Sequence, residues 1–395
     1  MLGHIIHLSG KAKYPPSGTS TEDADMTEVP TFGLVEWVRE TEQAAKYKLG
    51  ASNVYRDATA PGPVDWAAIA GEMSRQQGYG KESSAKLADM LPEWLGLPKK
   101  EVLSTVGTSE ANSLAVQSLA LGHGHFVVDV PNYQTMFDLP PLYGARVTPV
   151  RRRHEDGWRL DLEAVKRACG PGTTAIFTCN LHNPTGAGLM REELRALGDI
   201  AADAGAVLLV DEIFRHFVPD DSMVPPVRRV VPEAVSTGSL SKVYGWGATR
   251  MGWLTGPPEL VERARKLKVL VAPTSGLPNE SISVQVIGAL PALRDWSRGV
   301  ARRGTEALRA WVESRRDVSW VPPHAGIISF PRIEGVRDTV ALAKRAYKEH
   351  GVMVSPGEHF GMPGHLRLGV GIPDVKVIEE GLRLLGGTID RMGKR

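Results

Sequence analysis

Short apolar runs alternate with longer segments of helical periodicity through the middle of this chain. Residues 125–133 (HFVVDVPNY), 173–180 (TTAIFTCN), 206–214 (AVLLVDEIF) and 234–240 (AVSTGSL) read as buried strands, since each is mostly apolar or small and bounded by turn residues. In REELRALGDIAADAG, between two of them, Leu194, Leu197, Ile200, Ala201 and Ala204 recur at helical spacing. This alternation predicts an α/β fold with a mostly parallel central sheet, covered by helices on both faces. Ligands of such sheets lie at the carboxyl ends of the strands.

The flanks read differently. Residues 1–30 are polar and proline-containing and predict an irregular arm; a helix is expected over 34–48. Beyond the central region come a long helical pattern over 281–315, interrupted near Pro291, and the segment AGIISFPRI. A helix near 340–350, the segment GVMVSPGEHFG, the strand-like HLRLGVGI and a closing helix follow. This mixed stretch predicts a second, smaller α/β domain.

A length of 395 residues accommodates both domains. With 42% hydrophobic and 23% charged residues, the chain reads as a soluble globular protein. No apolar run approaches the length that crosses a bilayer, and the start, MLGHIIHLSG, lacks the apolar core of a signal peptide. A net charge of +2 gives no basis for a nucleic acid or an anionic membrane as partner. Cys169 and Cys179 are the two cysteines, without CxxC spacing, so neither a disulfide framework nor a metal site is expected. The expected setting is the reducing cytoplasm.

The strand ends carry the chemistry. TCN leads into LHNPTG, placing Asn183 just past one strand; LLVDE ends the next on Asp211; STGSLSK puts Lys242 after a third. An amide, a carboxylate and an amine would gather on one rim. Upstream, Gly107, Thr108 and Ser109 precede a run with Ala111, Leu114, Ala115 and Leu119 at helical spacing. A small-residue turn opening a helix offers N–H groups and hydroxyls to an anion. Arg250 adds a fork of donors. This set suits a phosphorylated pyridine aldehyde: Lys242 would form an imine with it once desolvation lowers its pKa. Asp211 would pair with the pyridinium nitrogen and keep the ring an electron sink. Asn183 would donate to the phenolic oxygen, and Tyr133 would stack on the ring face.

On these residues the sequence resembles the fold-type I pyridoxal-phosphate enzymes of aminotransferase class I/II, over about 34–385. SLSKVYGWGATR resembles the family's lysine motif, which implies Lys242 as the imine lysine and Ser239 and Arg250 as phosphate ligands. NPTG (183–186) and the strand-end Asp211 match two further motifs. GYG (78–80) resembles the segment whose tyrosine, here Tyr79, reaches the phosphate of the neighbouring subunit. HLRLGVGI resembles the C-terminal strand whose arginine, here Arg367, holds the substrate α-carboxylate together with Asn183. The resemblance thus implies pyridoxal 5'-phosphate as cofactor and a homodimer with shared active sites. It also implies an arm over 1–33, a small domain built from 34–65 and 291–395, and a large cofactor domain over 66–290.

One departure stands out: where the family usually has a tyrosine three residues after the aspartate, DEIF has Phe214. The expected activity is amine transfer from an α-amino acid. The alternatives sharing the same machinery are C–S β-elimination, cyclisation, and decarboxylating or oxidative deamination. A cofactor-binding transcription regulator would need an N-terminal DNA-binding domain, and residues 1–33 are short and not basic.

Overall fold

The computed structural model describes residues 29–62, 64–75, 82–120, 124–219 and 221–392. Tyr79 and the segment 78–80 lie outside the described residues, as do residues 1–28 of the arm.

Seven strands form the central sheet: β1 (Val102–Val106), β2 (His125–Val130), β3 (Arg146–Arg151), β4 (Ala175–Cys179), β5 (Val207–Asp211), β6 (Val235–Ser239) and β7 (Met251–Thr255). Their spatial order is β1-β7-β6-β5-β4-β2-β3, and all are parallel except β7, which runs antiparallel to both neighbours. Helices α1 (Gly33–Thr41), α2 (Trp66–Arg75), α3 (Glu82–Leu95), α4 (Gly107–Ala120), α5 (Thr135–Leu142), α6 (Leu162–Ala168) and α7 (Arg191–Asp203) precede or interleave the strands, and α8 (Pro258–Val271) follows the last. Every residue of β2, β4, β6 and β7 is buried, as in a sheet covered on both faces. Phe126, Val128, Phe177 and Leu209 pack on one face with Leu114 and Ala115 of α4. Val127, Ile176, Leu208 and Val210 pack on the other with Leu194 and Leu197 of α7.

The C-terminal part carries α9 (Leu277–Gly288), α10 (Leu290–Glu313), β8 (Val318–Ser319), β9 (Ile328–Ser329), β10 (Arg332–Ile333), α11 (Thr339–His350), β11 (Ser355–Pro356), β12 (Leu366–Gly369) and α12 (Val375–Met392). β12 sits between β11 and β9 in a small antiparallel sheet. Pro291 lies in the first turn of α10, where a missing N–H costs nothing, so the expected interruption becomes a boundary between two helices. No helix of the described residues is long and apolar enough to cross a membrane.

Two expectations need correcting. The helix expected over 34–48 ends at Thr41. Lys46 and Tyr47 instead donate their backbone N–H groups to Gly351 O, and Tyr47 bridges to Val352, so pairing with a distant segment overrides local helical pattern. Strands β1, β3 and β7 were not anticipated. They are short, and β1 and β3 carry polar or charged residues that break the apolar run.

Candidate active site

The strand register draws distant residues together. Cys179 of β4 stands opposite Asp211 of β5, and Asp211 opposite Thr237 of β6. Asn183 and Lys242 follow the same strand ends. β7 runs the other way, so its first residue, Met251, pairs with Val106, the last of β1. Gly107, opening α4, and Arg250, preceding β7, therefore meet at the same rim.

Asp211 is 5% exposed. Its Oδ2 accepts from Asn112 Nδ2 at 2.9 Å, and its Oδ1 from the Ile213 N–H at 3.0 Å. Thr237 Oγ1 donates to Asn112 Oδ1 at 2.6 Å, which turns the amide's NH₂ toward the carboxylate. Burial raises the Asp211 carboxyl to about 6, against the pull of the two hydrogen bonds and of Lys242.

The Lys242 amine donates to Ser52 Oγ at 3.2 Å, and its backbone carbonyl accepts from the Val54 N–H at 3.0 Å. Burial, reinforced by the Arg367 guanidinium, lowers the ammonium to about 8. Neutral amine is thus a substantial fraction near pH 8, where an ordinary lysine has little. In cofactor-free protein, labelling of Lys242 by an amine-directed reagent, followed by peptide mass spectrometry, is expected to show a midpoint near pH 8. A midpoint above 10 would contradict this environment.

Gly107 begins α4 at φ +76°, and a Cβ there would meet the Arg250 guanidinium at 2.5 Å. Only glycine meets both demands. Arg250 takes the left-handed conformation, φ 51°, and its Nη1 donates to Gly247 O at 3.3 Å. Thr108 Oγ1 is buried with no hydrogen-bond partner among the described residues; Ser109 is exposed. Ser239 Oγ shares a 2.5 Å hydrogen bond with Ser241 Oγ. An arginine fork, a helix N-terminus and an idle buried hydroxyl together form a cradle of donors suited to an anion.

Arg367, on β12, is 2% exposed. Its Nη2 donates to Gly50 O at 3.0 Å and Ser355 Oγ at 3.4 Å, and its Nη1 to Asn183 Oδ1 at 3.2 Å. The guanidinium lies 5.2 Å from the centre of the Phe360 ring, while Nε has no partner among the described residues. Tyr133 packs edge-on against Phe32 at 4.9 Å. Burial raises its phenol to about 12, with Arg367, Asp211 and Arg250 all within electrostatic reach.

Beneath these groups runs a buried polar network. Arg152 Nε donates to Asp129 Oδ2 at 2.6 Å, Asn132 Nδ2 to Asp129 Oδ1 at 3.0 Å, and the Tyr133 N–H to Asn132 Oδ1 at 2.8 Å. His182 shares a 2.7 Å hydrogen bond with Thr185, and burial holds it well below the usual histidine range, hence neutral. Phe214 is 1% exposed within the main apolar core. That position supplies packing.

Sequence reading missed Asn112, Thr237 and Ser52. The signal for Asn112 was an amide within the small, apolar run of α4; Thr237 was a hydroxyl in a fully buried strand. Ser52 offered no local signal.

Residues 46–383 match the family model described as aminotransferase class I and II. The capreomycidine synthase of Streptomyces vinaceus is 27% identical over 364 residues, covering 90% of this chain and 92% of that protein. A solved PLP-dependent aminotransferase from Streptococcus suis superposes with a TM-score of 0.84 at 25% identity, covering 93% of this chain and all of that one. The solved PLP-dependent cyclase OrfR gives 0.77 at 25% identity, covering 90% and 96%.

Proposed function

The chain belongs to the class I and II aminotransferases, enzymes that use pyridoxal 5'-phosphate, and from that premise we propose how its own residues divide the work. When bound, this cofactor supplies a protonated pyridine ring that accepts electrons from the substrate α-carbon. The idle Thr108 hydroxyl, the cradle at Gly107 and the buried Asp211 carboxylate fit its phosphate and its ring nitrogen. Thr108, Ser109, Ser239 and Arg250 hold the phosphate. Asp211, oriented by Asn112 and Thr237, holds the proton on the ring nitrogen. Asn183 donates to the ring oxygen, and Tyr133 covers the ring face. Lys242 would hold the cofactor at its aldehyde carbon, and its Nζ would take up and return the proton of the substrate α-carbon. Arg367 receives the α-carboxylate. The observation that carries this assignment is the register placing Asp211 beside Thr237 and Asn112, with Lys242 three residues beyond the end of β6.

The favoured reaction is amine transfer from an α-amino acid to a 2-oxo acid. The similarity to a capreomycidine synthase and to a cyclase favours a second reading, ring closure of an amino acid with the same residues. Incubating the holoenzyme with amino acids, with and without 2-oxo acids, separates them. A new amino acid formed from the oxo acid supports transfer. Multiple turnovers of the amino acid alone, beyond the one equivalent of oxo acid per site that the cofactor itself can accept the amine from, overturn transfer in favour of cyclisation or elimination.

Arg367→Ala is expected to raise KM for an α-amino acid about 10- to 100-fold, the scale of lost charge-assisted hydrogen bonds. Equal weakening for an amine lacking a carboxylate would remove the clamp role.

We further read the molecule as a cytoplasmic homodimer, with the small domain built from 34–65 and 291–395 and the large one from 66–290. Leu270 and Val271 at the end of α8 are each 82% exposed, and Trp66, opening α2, is 63% exposed. Apolar surface of this kind favours cover by a second copy. Tyr79 would then reach the partner's phosphate. Light scattering of the holoenzyme tests this, and a monomer with full cofactor occupancy would refute it.

A further inference from the structure

We propose that Glu42 and Tyr55 form the side-chain subsite of this active site, and that the subsite takes an α-amino acid whose side chain ends in a cation, an ammonium or a guanidinium. The inference rests on the reading of Lys242 as the reactive amine and Arg367 as the carboxylate clamp.

One strip of backbone links the three places. Gly50 O accepts from Arg367 at 3.0 Å, Ser52 Oγ from Lys242 Nζ at 3.2 Å, and the Val54 N–H donates to Lys242 O at 3.0 Å. Tyr55 follows directly, tied by its N–H to Gly371 O at 2.8 Å. The strip thus runs from the clamp, past the amine, to Tyr55. Three residues of extended chain reach at most about 10 Å, so the Tyr55 backbone lies no farther than that from Ser52.

The Tyr55 hydroxyl donates to Glu42 Oε1 at 2.6 Å. Both residues are partly exposed. Burial and the Glu42 carboxylate hold the Tyr55 phenol far above its ordinary range, so it stays a donor. Glu42 also lies within electrostatic reach of the Lys242 ammonium and raises it, against the larger lowering by burial and Arg367. Among the described residues, Glu42 has no cation within ion-pair distance. The nearby Lys48 ammonium lies instead over the Tyr55 ring, 5.5 Å from its centre. A half-buried carboxylate fixed by one donor and lacking a counter-charge is completed by a cation from the ligand. An acidic side chain would be repelled there, and an aliphatic one would leave the carboxylate desolvated and unpaired.

The test compares charged ligands with uncharged ligands of equal length. The dissociation constants of L-arginine and L-citrulline, and of L-lysine and L-norleucine, are measured from the change in cofactor absorbance of the holoenzyme. The charged member of each pair is expected to bind about 10- to 100-fold more tightly. In Glu42→Gln, where the amide still accepts from Tyr55, both ratios are expected to fall toward one. In Tyr55→Phe they are expected to stay well above those of Glu42→Gln, because the charge remains. Equal affinities within each pair in the unaltered holoenzyme overturn the proposal, as do ratios that Glu42→Gln leaves intact. If alanine and the four probes all fail to perturb the absorbance, the reading of Lys242 and Arg367 falls, and the subsite with it. If alanine perturbs it while the pairs show no preference, only the subsite fails.

Discussion

Lys242→Ala is expected to lower turnover by about 10⁴-fold, the upper end of what a single acid–base group contributes, because one amine both anchors the cofactor and moves the substrate proton. Borohydride reduction of the unaltered holoenzyme should fix the cofactor on the peptide containing Lys242, and the variant should yield no such adduct. An adduct on another lysine would transfer the role. The cofactor-free protein offers a second readout. The folded-state pKa of Lys242 is about 8, below its ordinary 10.5, so burying the ammonium costs stability. That cost is fully present below pH 8 and disappears as pH rises to 10.5, because there the unfolded chain also gives up the proton. Thermal melts of both proteins from pH 7 to 10.5 should therefore show the unaltered protein gaining on the variant.

Asp211→Ala is expected to leave cofactor bound through the phosphate cradle yet to cut turnover about 10²- to 10³-fold, as loss of a preorganised electrostatic partner does elsewhere. The ring nitrogen loses the group that keeps it protonated, and a neutral pyridine withdraws electrons poorly. A pH signature accompanies this. The free Asp211 carboxyl titrates near 6, raised by burial, and only the ionised form pairs with a pyridinium. Cofactor affinity of the unaltered protein should fall as pH drops below 6, and the variant should lack that dependence. A normal rate in a variant with bound cofactor would show that Asp211 is not the ring partner. Because Asn112 and Thr237 act through Asp211, Asn112→Leu should shift this midpoint without removing it.

How much of this was legible in the sequence depends on the range of the interaction involved. The strands ending at Cys179, Asp211 and Ser239 were visible, because burial on both faces selects apolar or small residues at every position. The motifs at 183–186 and 239–250 were visible for a related reason: a tight turn admits few residue types. β1 and β7 were not read, since they follow a helical segment or a turn without the apolar run that marked β2, β4 and β5. The early end of α1 was likewise hidden, because Gly351 and Val352, which pair with Lys46 and Tyr47, are some 300 residues away along the chain.

The site divides along the same line. By itself the sequence determined the family and which residues, Asn183, Asp211, Lys242 and Arg250, stand at or just beyond the strand ends, because buried strands and tight turns restrict residue type locally. Tertiary structure alone decided who stands beside whom. The antiparallel turn of β7 brings Arg250 over Gly107; Asn112 and Thr237 converge on Asp211 from a helix and a strand; the strip after Gly50 carries Ser52 to Lys242 and Tyr55 to Glu42. The physical reason is that a hydrogen bond or an ion pair acts over a few ångströms of space and leaves no mark on chain distance. Such contacts impose no periodicity on the sequence, and only the folded chain brings the partners within reach.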